Sequence, residues 1–425
     1  MSVTIVSRNH DRLVLEISIP LGTVMLEGEQ RIEHVFNEAG SVASGELLKR
    51  FDTDGSALQL GDTKLTSKGQ IEKTYQTPYG ETRVKRHVYQ SARGGSTYCP
   101  LEDNARIIQN ATPKLAKILS HKYSKLSVDE VQADLSSNHG RQLSRGYIQT
   151  VSEMVGTLAQ AKEESWHYET PVLEASVATV SIGLDGTTIY LREEGYRETM
   201  VGTIALYDNE GERLHTTYIG APPEYGKNIF KTRLAGEIDH VKRLYPDALY
   251  IGIADGATDN WPFLNQYTSI QVTDFWHATE YLAVAAEAIF HGKKQQAQRV
   301  DWLKQHCHEL KNNSGAAEKI LTELTDNVQN KHPPKRQEAL NKAITYFSNQ
   351  GIRMNYASLV AQALPIGSGV TEAACKMIVK QRFCQSGMKW RQKGASIILS
   401  LRTLERSHRW EQFWDKVSQY GAVYC

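Results

Sequence analysis

The sequence predicts an α/β fold in which a mixed β-sheet is flanked by helices. Residues 177–191 are rich in β-branched amino acids, and two further strands follow around the turn 208–211, a pattern typical of antiparallel pairing. Residues 228–244 then form an amphipathic helix, and short apolar strands at 248–254 and 269–273 follow it, a pattern typical of parallel strands. The length of 425 residues allows roughly two to four domains.

Pattern and composition divide the chain into five segments. We predict an N-terminal α+β region with a β-hairpin at 1–110, a helix-turn-helix segment at 111–162, the first part of a catalytic core at 175–275, an all-helical insertion at 276–364, and the C-terminal helices of the core with a basic surface at 365–425.

Residues 112–161 predict three short helices with a tight, glycine-containing turn at 138–140, which is the pattern of a helix-turn-helix. A capping box at 127–130 begins the second helix, and Ser144 can cap the third helix just before Arg145. The first helix carries four lysines with no acid among them, which favours DNA binding: Lys114, Lys117, Lys122 and Lys125. A plain three-helix bundle is equally compatible with this pattern.

The net charge of +1 conceals a basic block near the C-terminus. Between residues 365 and 410, Lys and Arg outnumber Asp and Glu by nine to two, which favours a polyanionic partner over a merely solvated helix face.

The five cysteines are scattered without a CxxC pair, which argues against a zinc ribbon and suits a reducing compartment. No apolar run approaches the ~20 residues of a membrane span. We therefore expect a soluble, cytoplasmic protein with no membrane partner.

Three acids occupy positions that suit a metal site. Asp185 lies within an apolar strand, Asp255 ends a parallel-type strand, and Glu372 lies in the first turn of a helix after a glycine-rich loop. A buried carboxylate needs a compensating cation, and open α/β sheets place their sites at the carboxyl ends of strands. Such oxygen ligands suit Mg²⁺ or Mn²⁺. An aspartate at a strand end is more often a turn or cap residue, so the prediction depends on the order of all three acids.

This order, with a helical segment between the second and third acids, resembles the DDE transposases of bacterial insertion sequences. The similarity is to their ISKra-type branch and, more distantly, to Mutator-like transposases, and it covers the chain from about residue 70. The stretches that carry it are LDGTTIYL with Asp185, IADGATDNW with Asp255, VTDFWHATEYL with Asp274 and His277, and GSGVTEAACKMIVKQRF…SGMKW with Glu372.

The resemblance implies a ribonuclease H-like catalytic domain whose metal triad is Asp185, Asp255 and Glu372, with two Mg²⁺ or Mn²⁺ ions as cofactors. It implies a transposase that hydrolyses phosphodiesters at the element ends and transfers the 3′-hydroxyl to target DNA. The expected partners are double-stranded DNA and further copies of the chain in a homodimer or larger assembly. The expected location is the bacterial cytoplasm, in association with the nucleoid.

Asp274 and His277 lie three residues apart at a helix start. The resemblance implies an accessory role for them in the active site, while capping of the helix by Asp274 is an equal alternative.

The residues that we expect to contact DNA are Lys376, Lys380, Arg382, Lys389, Trp390, Arg391 and Arg145. Lys376 and Lys380 follow Glu372 at spacings of four and eight, which places them on its helix face. Trp390 suits stacking on a base, although a buried tryptophan is the commoner outcome.

Two other functions remain open from the sequence. The LDGTT stretch is similar to the phosphate loop of actin-like-fold, ATP-dependent phosphotransferases, but its spacing is one residue short and no second glycine-rich loop follows a later strand. A catalytically silent, transposase-derived DNA-binding protein would show the same overall pattern. The three acids at Asp185, Asp255 and Glu372 argue against that second alternative.

Overall fold

Residues 2–224, 227–329 and 333–419 are described by a computed structural model, in which the chain is a mixed α/β protein. Contacts divide the chain into two units. The first unit contains residues up to Glu163 together with 400–405 and the described residues from Arg409 onward. Before residue 163 its elements are β1 (Val3–Arg8), β2 (Leu13–Ile17), α1 (Met25–Lys49), β3 (Leu58–Leu60), β4 (Thr63–Gln76), β5 (Glu81–Ser91), β6 (Gly94–Tyr98), α2 (Pro100–Asn104), α3 (Pro113–Lys125), α4 (Val128–His139) and α5 (Arg145–Lys162).

The strands of this unit form two antiparallel sheets, β1–β2 and β3–β4–β5–β6. Strands β4 and β5 make the predicted hairpin, whose turn is closed by a hydrogen bond of 2.9 Å from the Thr77 N–H to the Gly80 carbonyl. The buried side chains Tyr75 and Val84 pack on Leu48 of α1 and Leu101 of α2. The hairpin is therefore part of a small α+β core, as the sequence predicts.

The three helices predicted between residues 112 and 161 are confirmed as α3, α4 and α5. Ser127 begins α4 with the predicted capping box, in which its hydroxyl accepts the Glu130 N–H and the Glu130 carboxylate accepts the Ser127 N–H. Gly140 ends α4 in the left-handed region with a φ of 58°. The Ser144 hydroxyl then caps α5 by accepting the Tyr147 N–H.

The second unit, residues 164–399 and 406–408, is built on a five-stranded mixed sheet. The sheet elements and the helices between them are β7 (Thr179–Leu191), β8 (Gly195–Tyr207), β9 (Arg213–Ala221), α6 (Asn228–Leu244), β10 (Leu249–Ala254), α7 (Trp261–Tyr267) and β11 (Ile270–Thr273). The strand order is β11-β10-β7-β8-β9, with β7, β8 and β9 antiparallel and β10 and β11 parallel to β7. The predicted mixed sheet is thus confirmed.

The segment after the sheet is helical, as predicted for 276–364. Its described helices are α8 (Phe275–Ile289), α9 (Gln296–Asn312), α10 (Ala316–Val328), α11 (Pro334–Gln350) and α12 (Tyr356–Ala361), with short 3₁₀ helices at Lys293–Gln295 and Gly351–Arg353. Glu323 of α10 joins α10 to α9 because its carboxylate accepts the Trp302 indole N–H at 2.7 Å and lies 2.8 Å from His306 Nε2. No described helix is long and apolar enough to cross a membrane.

After this block, the helix that carries Glu372 is not regular. It comprises α13 (Gly369–Ala374), a π-helical segment (Cys375–Lys380) and α14 (Gln381–Phe383). Two further helices follow, α15 (Gln392–Arg406) and α16 (Trp410–Gln419). We predicted that 365–425 belongs to the core of the second unit, but α16 and residues 400–405 belong to the first. The sequence pattern of α16 predicts that one face of this helix is buried, but it does not predict which of the two cores that face packs against.

Candidate active site

The sheet register brings three acids to one edge. In the parallel pair β7–β10, Gly183 lies opposite Ile253, so that Asp185 and Asp255 are each two residues further along their strands. In the pair β10–β11, the residues that immediately precede Asp255 and Asp274 lie opposite each other. Three neighbouring strands therefore place an aspartate at the same level, at the edge where open α/β sheets form their sites.

Asp185 is a half-buried carboxylate in the middle of β7. Its Oδ1 accepts the Gly186 N–H at 2.7 Å, and its Oδ2 lies 3.5 Å from the thiol of Cys375. Burial raises the pKa of Asp185, the nearby Asp255 raises it further, and the Gly186 N–H, Cys375 and His277 oppose that rise. The charged form is therefore poorly compensated by the protein, which is the state that a bound cation would relieve.

Asp274 is fully buried, at 0% exposure, and holds two segments together. Its Oδ1 accepts the N–H of Trp276, which caps α8, and also the N–H of Ser368, both at 3.1 Å. Its Oδ2 lies 2.8 Å from the Ser368 hydroxyl. The capping alternative for Asp274 is thus confirmed, and the same carboxylate anchors the glycine-rich loop before Glu372.

Ser368 links Asp274 to Glu372. Its hydroxyl oxygen lies 2.9 Å from Glu372 Oε1, so one hydroxyl proton serves two carboxylates and can be donated to only one at a time. Asp274, His277 and Glu372 each offer a ligand atom, and these atoms all lie within 4.8 Å of one another. Two carboxylates and an imidazole at this spacing can hold a divalent metal ion.

A cavity of about 700 Å³ lies beside His277 and Glu372 of this group. Asp185, His277 and Glu372 line it, and Lys376 and Lys380 line it from the helical segment that follows Glu372. Both lysines therefore lie beside the glutamate, as the sequence predicts, although the segment that carries them is π-helical. The same cavity thus offers carboxylates that can bind a cation and ammonium groups that can bind an anion.

Glycine at position 183 determines how closely α13 approaches the sheet. Thr371 of α13 lies over β7 and β8, where its hydroxyl is 2.7 Å from the Thr203 hydroxyl. A Cβ atom on Gly183 would lie only 2.0 Å from Thr371 Oγ1. Any side chain at 183 would therefore push α13, and with it Glu372, away from the acids of the sheet.

Asp255 is positioned by its own loop and by α11. Its Oδ1 accepts the Ala257 N–H at 3.0 Å, and its backbone carbonyl accepts the Tyr346 hydroxyl at 2.9 Å. The Gln350 amide donates to the Gly256 carbonyl at 3.0 Å. The helical insertion thus fixes the end of β10. Asp255 lies next to Asp185 in the sheet, whereas the residues grouped with Glu372 within 4.8 Å are Asp274 and His277.

The predicted DNA contacts divide into two groups. Lys376, Lys380, Lys389 and Arg391 are exposed. The side chain of Arg382 is only 2% exposed, and its guanidinium lies over the Trp390 ring at 4.8 Å. Trp390 donates its indole N–H to the Phe383 carbonyl at 3.3 Å. We therefore remove Arg382 and Trp390 from the predicted DNA contacts, because both form part of the packing after α14.

The lysines of α3 are more balanced than the sequence predicts. Lys122 pairs with Asp134 at 2.5 Å, Lys125 pairs with Glu405 at 2.8 Å, and Lys117 pairs with Glu411. The acids come from other elements, so that the local run of lysines overstated the positive charge of this surface. Arg145, also predicted to contact DNA, is exposed and pairs with Asp129 at 2.8 Å.

Two residues at the site were not predicted. Ser368 lies four residues before Glu372 within the glycine-rich loop, a spacing that hints at a contact on one helical turn. Trp276, between Asp274 and His277, lines the cavity with a largely exposed indole. Comparisons of the sequence with protein-family models and with curated proteins found no match.

Proposed function

We propose that this chain is a metal-dependent DNA transposase, which hydrolyses phosphodiester bonds at element ends and transfers the freed 3′-hydroxyl to target DNA. One observation carries the proposal: Asp185, Asp255, Asp274 and Glu372 converge at one edge of the sheet. Lys376 and Lys380 line a cavity together with two of these acids, Asp185 and Glu372. Acids that bind divalent ions beside cations that bind phosphate are the groups that metal-assisted phosphoryl transfer requires.

The topology of the sheet supports the same proposal. An antiparallel meander of β7, β8 and β9, followed by β10 and β11 added in parallel on the other side of β7, is the strand order expected of a ribonuclease H-like domain. The helix with Glu372 packs on β7 and β8. The helical insertion lies in the chain between Asp255 and Glu372, as in the resemblance to DDE transposases.

The donor set of the site fits Mg²⁺ or Mn²⁺. Asp274, His277 and Glu372 would hold one ion, and Asp185 with Asp255 would hold a second. Two such ions supply activation of a water or 3′-hydroxyl and stabilisation of the leaving oxygen in an in-line displacement. The raised pKa of Asp185 and the single Ser368 proton shared by two carboxylates both leave negative charge that a cation would neutralise.

The remaining residues of the cavity would bind and orient DNA. Lys376 and Lys380, which line the cavity together with Glu372, would contact the phosphodiester backbone. The helix-turn-helix of the first unit, with Arg145 exposed at the start of α5, would bind the double-stranded ends. Pairing of two ends would bring two or more protomers together on DNA.

The test is cleavage of a labelled duplex that carries the terminal repeats of the element, with Mg²⁺ or Mn²⁺. We expect divalent-dependent nicking by the wild type and a loss of at least ~100-fold in Asp185→Asn. The exposed Asp247→Asn of the same unit is the matched control and should cleave normally. Binding without nicking by the wild type would favour the silent DNA-binding protein, and ATP binding without DNA binding would favour the phosphotransferase.

A further inference from the structure

One exposed tryptophan, Trp276, lines the cavity that Asp185, His277 and Glu372 also line. Trp276 is 64% exposed, whereas the other six tryptophans of the chain are buried or half-buried. Single exposed apolar side chains are common on protein surfaces, so the exposure of Trp276 gains its meaning from the place of this ring among the lining residues of the cavity. An indole exposed in this position is available to stack on a planar ligand.

Neighbouring residues fix the backbone of Trp276 and one edge of its indole ring. The Trp276 N–H donates to the buried carboxylate of Asp274, and the Phe275 ring meets the indole edge-to-face with centroids 5.6 Å apart. On another side lies Gly367, where a Cβ atom would come within 3.3 Å of Trp276 Cδ1. The ring is thus oriented by the same loop that carries Ser368, while most of its surface stays open.

The surroundings of the ring define the chemistry of the ligand. The cavity that Trp276 lines is also lined by Glu372, Lys376 and Lys380. Its volume of about 700 Å³ falls in the range of sites that hold small organic groups. A planar, aromatic group attached to an anionic backbone satisfies both the indole and the lysines, and a nucleotide of a DNA strand has that composition.

We propose that Trp276 is the platform of a nucleobase subsite, on which a base beside the scissile phosphodiester stacks once it leaves the duplex. The inference rests on the proposed DNA function and adds a residue that positions the substrate. Stacking on an indole tolerates every base, so this subsite orients the strand without reading its sequence.

The test uses a forked duplex with a short single-stranded 3′ tail and 2-aminopurine at the first unpaired position. Ca²⁺ replaces Mg²⁺ so that binding is followed without cleavage. We expect the wild type to quench 2-aminopurine fluorescence on binding, and Trp276→Ala and Trp276→Leu to lose the quench with an increase in Kd of about 5- to 100-fold. Trp276→Phe keeps an aromatic face and should retain most of the quench. Tyr196→Ala, which removes another exposed aromatic residue of this unit, should behave as the wild type.

The outcomes separate this inference from the proposed function. If Trp276→Leu binds and quenches as the wild type does, while Lys376→Ala or Lys380→Ala weakens binding, the nucleobase subsite is wrong and the DNA function stands. If the wild type does not bind the forked duplex at all, both proposals fail. The Leu variant preserves bulk at a mostly exposed position, so its fold should survive, and its Tm provides the check.

Discussion

Asp185 determines how the metal-free site responds to pH. Burial raises its pKa in the folded protein, so the folded state binds this proton more tightly than the unfolded state does. The corresponding stability is fully present below the ordinary aspartate pKa and is lost as the pH rises through the raised folded value. At neutral pH the ionised carboxylate therefore opposes folding until a cation compensates it.

We accordingly expect Asp185→Asn to raise the Tm of the metal-free protein by a few degrees at neutral pH and to leave it nearly unchanged near ~pH 3. The same substitution should reduce the Tm increase that Mn²⁺ produces in the wild type, because Asp185 would hold one of the two ions. Thermal scans at both pH values, with and without Mn²⁺, measure these effects, and Asp247→Asn is the control. An unchanged or lower Tm for Asp185→Asn at neutral pH would contradict the account of an uncompensated carboxylate.

Ser368 provides a second prediction for a single residue. Its hydroxyl connects Asp274 and Glu372, the two acids grouped with His277, so its removal frees the Glu372 carboxylate from its neighbour. We expect Ser368→Ala to weaken Mn²⁺ binding by about 10-fold or more, as measured by calorimetric titration. Ser269→Ala, which removes a hydroxyl bonded to the Tyr250 carbonyl in the same unit, should bind Mn²⁺ normally. Equal affinities in the two variants would show that Ser368 does not orient the ligands.

Sequence patterns located some of these residues and not others, for a physical reason. Asp185 and Asp255 were visible because each interrupts or ends an apolar strand, and strand ends are readable locally. Ser368 and Asp274 are 94 residues apart, so their contact exists only after the helical insertion has folded between them. The exposure of Trp276 and the packing of Trp390 against Arg382 likewise depend on contacts that the local sequence does not encode.

Among the elements, α13 depends most strongly on one close approach. Gly183→Ala would insert a methyl group where Thr371 Oγ1 now lies, and overpacking of this kind typically costs about 1–3 kcal/mol. We expect this variant to be less stable by that amount in urea unfolding and to lose cleavage, because Glu372 moves with its helix. Gly236→Ala on the exposed side of α6, where a Cβ atom meets nothing within 4 Å, should be neutral or slightly stabilising. Normal cleavage by Gly183→Ala would show that the position of α13 tolerates this displacement.

The boundaries of regular elements were more predictable than their irregularities. Periodicity placed α6 at 228–244, the bounds that the structure has, because that helix has one buried face formed by Phe230, Leu234, Ile238 and Val241. The π-helical segment carries an ordinary apolar helix sequence, CKMIVK, so nothing local distinguishes it. The break between α15 and α16 occurs at His408, a non-glycine residue with a φ of 58°, and lacks the glycine or proline that usually signals a helix end.

In the whole molecule, the first unit is discontinuous in sequence. Arg402 is buried and donates at 2.6 Å to the carbonyl of Ser124, which lies in the last turn of α3. The Ser400 hydroxyl donates to the Glu163 carboxylate at 2.9 Å. The core of this unit therefore includes residues from both ends of the described chain, which composition alone did not indicate.

We expect the fragment 1–163 to be much more sensitive to trypsin than the same unit in the full chain. Fusion of residues 400–419 to this fragment through a Gly/Ser linker should restore resistance, because it returns Arg402 and the apolar face of α16. The fusion with Arg402→Ala serves as the matched control and should protect less, since it leaves the Ser124 carbonyl without its donor. Equal resistance of the bare fragment and the fusion would contradict the discontinuous core.

The same discontinuity sets an order for synthesis. Ser400 follows its partner Glu163 by 237 residues, which a ribosome translates in roughly 10–50 s at 5–20 residues per second. The first unit therefore remains incomplete while the ribosome synthesises the residues of the five-stranded sheet. A translation product that stops before residue 400 contains no finished first unit, so only chains that extend through α16 can present that unit's completed surface to a partner.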